Sequence, residues 1–574
     1  MASEGDVGSD HGISKRPSQQ QSPVAAVEKP AQEHDEKAKE AAAAAAEEKP
    51  WVVRKWIASF AVCLAALPFL LILVSRRRDE PLPLASGWTS ATTYTHQESN
   101  DDRFLGGLLV PGFDQQSCIS RYQAAHYRKN MARSPSAHLV KRLREQETLQ
   151  RRCGPGTKAY RRAAEQLDTP RNGTDDDDDS CKYLVLVPYR GLGNRILAMA
   201  SAFLYAMLTG RVLLVDRGTS LTDLFCEPFP ETSWLLPPDF PIKDLENLTG
   251  EVPESYRNLV KDNKADSMSD LPYVFVDLDH ACTYHDKLFY CDDDREFLHR
   301  VPWLVMRTDG YFVPALFLNP AYQDELDKLF PRKDSVFYLM ARYLFHPSNR
   351  VWGLITRFYN SYLKDSDERL GIQVRVFDGD TPFKHVLDQI LACTSQEHLL
   401  PEVMTEETAT MPMSASAGAR SKAVLMTGLS SWYFENIRGR YWQSATATGE
   451  VVSVHQPSHE EHQLSGEATH DMKALAEMYL LSMTDAIVTS GWSTFGYVGH
   501  GLGGLTPWIM FKPENLTTPD PPCQRAMSME PCLHGPPFYD CRARRGADTG
   551  KLVPHVRHCE DMSWGLKLVH PEQV

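Results

Sequence analysis

Apolar, β-rich runs alternate with helix-patterned segments from Gly371 to Phe511, and this alternation restricts the fold more than any other feature of the chain. Strands are expected at 371–377 (GIQVRVF), 423–428, 451–455, 486–490 and 507–511. Between them Phe383, Val386, Leu387, Ile390 and Leu391 recur at helical spacing. Further helices are expected near 430–439, at 472–483 and from Ser493 onward. Five strands alternating with four helices imply a parallel sheet covered on both faces. A second unit of this kind lies earlier: YLVLV at 183–187, the turn PYRGLGNR, a helix capped by Gly210, and a strand at 211–216. Shorter strands are expected at 273–276 and 303–306. The expected fold class is α/β, with two Rossmann-like domains at 181–345 and 346–515 facing across a cleft. Cys523, Cys532, Cys541 and Cys559 in a Pro-rich setting mark 516–574 as a stapled C-terminal extension.

Upstream of this body, residues 1–55 lack apolar periodicity and read as a disordered tail. From Ile57 to Val74 there are 18 residues without a charge, close to the roughly 20 that cross a bilayer. The segment starts too late for a signal peptide, so 56–75 is expected to stay as a single-pass anchor. Flanking cations tie at three against three (Lys49, Arg54 and Lys55 against Arg76, Arg77 and Arg78) and leave orientation open. The glycosylation triplets at Asn172, Asn247 and Asn515, with eleven of twelve Cys beyond the anchor, favour a lumenal body and type II topology. An odd lumenal count leaves at least one thiol unpaired. Residues 76–180 are polar, end in the acidic run 175–179, and read as a stem, with the folded part starting at Cys181. The overall balance of 61 Lys plus Arg against 75 Asp plus Glu, a charge of −14, excludes a general nucleic-acid surface; any phosphate site is local.

Two features point to such a site. RGLGNR (190–195) offers backbone N–H groups at a helix start, although as a bare motif it is more often a tight turn. Asp216, ending the next strand, keeps a nicotinamide-cofactor reading open. Arg375 sits in an otherwise neutral strand, so the sheet must supply a carboxylate or a ligand an anion. In VTSGWSTFGYVGHGLGG (488–504) a strand runs into hydroxyls and glycines as a helix begins; Ser493 and Thr494 suit either capping or a diphosphate. Two other clusters invite a metal reading. Asp277 and Asp279 of DLDH resemble a metal-holding pair but also suit turn positions. His280, Cys282, His285 and Cys291 have zinc-ligand chemistry, yet in an oxidising lumen a Cys282–Cys291 disulfide is the stronger expectation.

From Cys181 to Val569 these motifs resemble the plant xyloglucan fucosyltransferase family, glycosyltransferase family 37. The resemblance rests on YLVLVPYRGLGNRILAMASAFLYAMLTGRVLLVD, RYLFHPSNRVWGLITRFYNSYL, DERLGIQVRVF, KALAEMYLLSMTDAIVTSGWSTFGYVGHGLGG and RAMSMEPCLHGPPFYDC. It implies a GT-B-like enzyme of the Golgi stack membrane that moves L-fucose from GDP-fucose, with inversion and without an obligatory metal or other cofactor. The acceptor implied is the 2-hydroxyl of galactose on a cell-wall glycan of the xyloglucan type. Arabinogalactan, another galactose-ended glycan, or a catalytically silent glycan-binding role are the alternatives. The partners implied are GDP-fucose, the polysaccharide, the Golgi membrane, and homo- or hetero-oligomers with other Golgi transferases. Carried over by position, Arg375 holds the diphosphate and Ser493, Thr494, Phe495, Gly496 and Tyr497 line the donor site. Asn194 and Arg195 approach from the other domain, and Asp309 in WLVMRTDGYFVP is the candidate base.

Overall fold

Two parallel sheets organise the protein. The computed structural model describes residues 104–127, 133–168, 181–218, 221–262, 271–280, 282–291, 295–377, 382–404, 419–464 and 466–573. The tail, the segment 57–74, Asn172, the acidic run 175–179 and residues 405–418 lie outside the described residues. In the first sheet β1 (Tyr183–Pro188), β2 (Val212–Val215), β3 (Tyr273–Leu278) and β4 (Trp303–Thr308) take the order β2-β1-β4-β3. In the second, β5 (Glu368–Gln373), β6 (Ser421–Thr427), β7 (Val451–His455), β8 (Ala486–Ser490), β9 (Trp508–Met510) and β10 (Cys523–Arg525) take the order β10-β9-β8-β5-β6-β7. The five expected strands of this sheet are present and parallel. A sixth, β10, comes from the C-terminal extension and pairs antiparallel with β9. β5 ends at Gln373, so Arg375 lies just beyond the strand rather than inside it, where sheet sterics no longer force its side chain into the core.

Folding begins before Cys181, which corrects the stem assignment for 104–168. Helices α1 (Ala137–Cys153) and α2 (Lys158–Asp168) lie in that stretch. The buried face of α1 comprises Leu139, Leu143, Gln146, Glu147, Gln150 and Cys153. Half of those side chains are polar, which hides the apolar period. The glutamines serve the open edge of β2: Gln146 Nε2 donates to Arg211 O (2.8 Å), Gln150 Nε2 to Leu213 O (3.0 Å), and Leu213 N to Gln150 Oε1 (3.0 Å). An exposed strand edge is thereby closed without a further strand. Disulfides Cys118–Cys226 and Cys153–Cys181 fasten the same stretch to the body.

Between the strands run α3 (Leu192–Thr209), α4 (Lys384–Gln396), α5 (Ser431–Gln443), α6 (Ala468–Leu481) and α7 (Thr494–Gly503). α3 ends on Gly210 in the left-handed region (φ 63°), the position that glycine fills without a Cβ penalty. α3 is also long and apolar enough to cross a membrane, but most of its side chains are buried in the core. One continuous apolar cluster joins the sheets: Leu197 and Phe203 of α3 belong with Met478 of α6 and Tyr497 and Leu502 of α7. Cys291–Cys541 ties the extension to the first half, Cys393–Cys523 to the second, and Cys532–Cys559 closes it on itself. Among the described residues the free thiol is Cys282, so an unpaired Cys is as expected but the Cys282–Cys291 bridge does not form. Proximity in sequence misleads there, because Cys291 meets a partner 250 residues away.

Candidate active site

Strand register builds the cleft. β1 and β4 align Pro188 with Thr308, so the residues that follow, Arg190 and Asp309, leave the first sheet side by side. β5 and β8 align Gln373 with Thr489, which brings Arg375 beside the Ser490–Gly491 turn, and Arg375 N donates to Ser490 Oγ (2.9 Å). A cavity of about 620 Å³ opens between these strand ends. Its lining includes Asn194, Arg195, Asp309, Arg375, Ser493 and Thr494, together with Phe495. Ligands of open α/β sheets bind at such carboxyl-terminal edges.

Two helix N-termini enter this space. At α3, Arg190 is left-handed (φ 66°) and the helix starts at Leu192. The second glycine of GLG has a specific reason: a Cβ on Gly193 would lie 2.8 Å from Thr494 C and 2.9 Å from Phe495 N. Only a bare Cα lets α3 and α7 approach this closely. Asn194 joins them, accepting from Thr494 Oγ1 (3.0 Å) and donating to Asp309 O (2.9 Å). At α7, Ser493 is the N-cap and its hydroxyl accepts from Gly496 N (3.5 Å). Capping and cavity lining thus fall on one residue. Gly496 cannot carry a side chain, because its Cβ would meet Thr489 Oγ1 at 1.8 Å.

The charges differ from one residue to the next. Asp309 is 6% exposed and holds an ion pair with Arg190 Nε (2.9 Å); it also accepts from His280 N (2.9 Å) and His280 Nδ1 (3.1 Å). Burial pushes its carboxyl above the usual range while His280 and Arg190 pull it back. Arg195 is paired with Asp471 of α6 at 2.7 Å, which makes it a tether between the sheets. Arg375 is half-buried and its guanidinium lies over Phe377 (5.3 Å to the ring centroid). Among the described residues no carboxylate stands within ion-pair distance of it, and burial alone lowers its pKa. Of the two partners that the sequence allowed Arg375, no internal carboxylate is supplied by the described residues.

Some expected site residues do not reach the cavity. Gly496 and Tyr497 lie beneath it; the Tyr497 hydroxyl donates to Asp561 Oδ2 (2.6 Å) and contacts His534 Nε2 (3.1 Å). Neither metal reading assembles. Asp277 sits beside Arg307 across the β3–β4 register and pairs with it (2.9 Å), and Arg307 also approaches Asp279 (3.7 Å). Cys291 is consumed by its disulfide. Cys532, Cys559 and Asp561 are close enough to share an ion, but both sulfurs are bonded to each other. Sequence reasoning missed Gln373, Glu477, His534 and Asp561. Glu477 lines the cavity, accepts from Ser458 Oγ, and is pushed by burial to about 8. A carboxyl within the apolar run MKALAEMYLLSM was the available signal; His534 and Asp561 carried none.

The profile of the xyloglucan fucosyltransferase family matches residues 86–542, a range that ends before Asp561. A galactoside 2-alpha-L-fucosyltransferase of Pisum sativum is 51% identical over 532 residues, covering 91% of this chain and 93% of that protein. One of the same description from Arabidopsis thaliana is 56% identical over 472 residues, covering 82% and 84%. The solved structure of an Arabidopsis thaliana FUT1 mutant in complex with GDP superposes with a TM-score of 0.74 at 55% identity, over 82% of this chain and 100% of that one.

Proposed function

The chain belongs to the xyloglucan fucosyltransferase family, and from that premise we propose that it is a galactoside 2-alpha-L-fucosyltransferase that uses GDP-fucose. The observation that carries this reading is Arg375: a half-buried cation with no carboxylate at ion-pair distance among the described residues, beside the N-terminus of α7, in a cavity large enough for a nucleotide sugar. The galactose 2-hydroxyl oxygen attacks the anomeric carbon of fucose as the bond to the diphosphate oxygen breaks, with inversion. The hydroxyl proton passes to Asp309, directly or through a water, and the bond electrons leave with GDP. Arg375 and the amides of Ser493 and Thr494 meet the charge that develops on the diphosphate, while Asn194 holds Thr494 and Asp309 in register. Electrostatics of this kind need no divalent cation, and both acids of DLDH are already taken by Arg307.

The acceptor proposed is a xyloglucan-type side chain of the plant cell wall. The reading extends to location: a Golgi stack protein of type II topology anchored by 57–74. Asn247 and Asn515 are exposed and open to glycans, and Asn172 is the third candidate. The test is a panel assay of the purified full-length protein with GDP-fucose against xyloglucan, arabinogalactan and other galactose-ended glycans, followed by linkage analysis. A 1,2-linked fucosyl galactose is expected, with turnover unchanged by EDTA. GDP binding without transfer to any acceptor would establish a silent paralogue instead.

A further inference from the structure

The α7 N-terminus depends on a turn that its own segment does not stabilise. Trp492 adopts φ 61°, a left-handed conformation that a bulky residue holds only where its surroundings impose it. The C-terminal extension supplies those surroundings. Trp492 N donates to Asp561 Oδ2 (2.8 Å), and the Trp492 indole N–H donates to Asp561 O. Tyr497, one turn into α7, donates to the same Oδ2 (2.6 Å). The approach is close enough that a Cβ on Gly491 would stand 3.1 Å from Asp561 Cβ.

The donor count fixes the next member. A carboxylate only accepts, so the Tyr497 proton is committed to Asp561 and the Tyr497 oxygen must accept from His534 Nε2–H. His534 lines the cavity. The Cys532–Cys559 disulfide lies two residues from His534 and two from Asp561 and holds the two segments together. On the next residue, Glu560 accepts from Met527 N (2.6 Å) and pairs with Lys567 (2.9 Å).

We propose that Asp561 is a positioning residue of the donor site: by locking the Trp492 turn and Tyr497 it sets the α7 N-terminus and His534 for the nucleotide diphosphate. This rests on the reading of the cavity as the GDP-fucose site. The side chain touches no substrate; it acts through Trp492 and Tyr497. The network also explains why Tyr497 is a tyrosine although it does not line the cavity.

The test uses the full-length protein and three variants, Asp561→Ala, Asp561→Asn and Tyr497→Phe, each measured for GDP Kd, for KM and kcat with GDP-fucose, and for Tm. Asp561→Ala is expected to weaken GDP and raise the donor KM by about tenfold or more, the scale set by charge-assisted hydrogen bonds, with acceptor KM unchanged. Asp561→Asn keeps an acceptor oxygen for Trp492 N and is expected to restore most of the donor affinity. Tyr497→Phe removes one of the two side-chain bonds and is expected to fall between them. A donor KM within about twofold of wild type in folded Asp561→Ala overturns the proposal. If Asp561→Ala does not fold, an unchanged donor KM in Tyr497→Phe overturns it equally. GDP Kd reads the clamp even if the wild-type protein transfers fucose to no acceptor, so failure of the activity and failure of the clamp are separable.

Discussion

The two helix N-termini that meet in the cleft are built alike and charged differently. At α3 the nearby cations are spent: Arg190 pairs with Asp309 and Arg195 with Asp471. At α7 the nearby cation, Arg375, has no acid within ion-pair distance among the described residues. The first lobe therefore presents a neutralised wall suited to an uncharged sugar hydroxyl. The second leaves one positive charge and one helix dipole for an anion. In a chain of net charge −14 this local exception is what a nucleotide diphosphate needs.

Removing that exception should cost most. Arg375→Ala is expected to lower kcat/KM for GDP-fucose by about 10³-fold, and Arg375→Lys less, since a lysine keeps the charge but not the fork. Steady-state turnover within twofold of wild type would collapse the contrast between the two lobes. Asp309→Asn tests the other side: kcat should fall by about 10² while GDP Kd stays unchanged, because the donor half is intact. A base works only when deprotonated, and burial raises the Asp309 pKa. The acid limb of the kcat profile should therefore lie above the ordinary aspartate range and vanish in the variant. An unshifted limb in Asp309→Asn assigns the proton to another group.

The meeting of the lobes can be pried apart at Gly193. A methyl there would press on the backbone of Thr494 and Phe495, which cannot swing aside as a side chain can. Gly193→Ala is expected to cost about 1–3 kcal/mol of stability, as overpacking does. It should also raise the donor KM by a few-fold to about tenfold. Thermal melts and donor titration check both, and an unaltered KM would mean that the lobes need not touch to bind the nucleotide.

These contrasts were unevenly legible in the sequence. The β/α alternation located both sheets, because a parallel sheet writes its strands as apolar runs. Arg375 was visible as a charge among apolar neighbours, and GLG was visible as a turn. The reason for Gly193 was not, since it lies in the backbone of Thr494 and Phe495, far along the chain and in the same contact as Asn194. Tyr497 follows from the family resemblance as a lining residue, but a place in a matched motif does not say which face of a helix meets the ligand. α1 was missed because glutamines do at the β2 edge what leucines do elsewhere. Asp561 and His534 acquire their roles through a disulfide and a left-handed turn, neither of which leaves a periodic pattern.

The converse of Arg375 is an acid with no cation beside it among the described residues, and the effect expected there is on stability rather than on turnover. Glu477 shares the cavity with Arg375, yet among the described residues no Lys, Arg or His stands within ion-pair distance of it, and its hydrogen bond comes from Ser458. Lys473 and His470, on the same helix, are engaged by Glu460. Burial raises the Glu477 pKa from 4.5 to about 8, so folded protein at neutral pH holds a proton that the unfolded chain has released. Folding then takes up a proton, and stability falls as pH rises between those two values; below 4.5 both states are protonated and the penalty is absent. Glu477→Gln is neutral at every pH. Its unfolding free energy relative to wild type, read from denaturant melts, should accordingly be higher at pH 8 than at pH 5, by an increment on the order of a few kcal/mol. Equal differences at the two pH values would mean that Glu477 is ionised in the folded protein. A carboxylate would then share the cavity with Arg375, and the contrast in charge between the lobes would shrink accordingly.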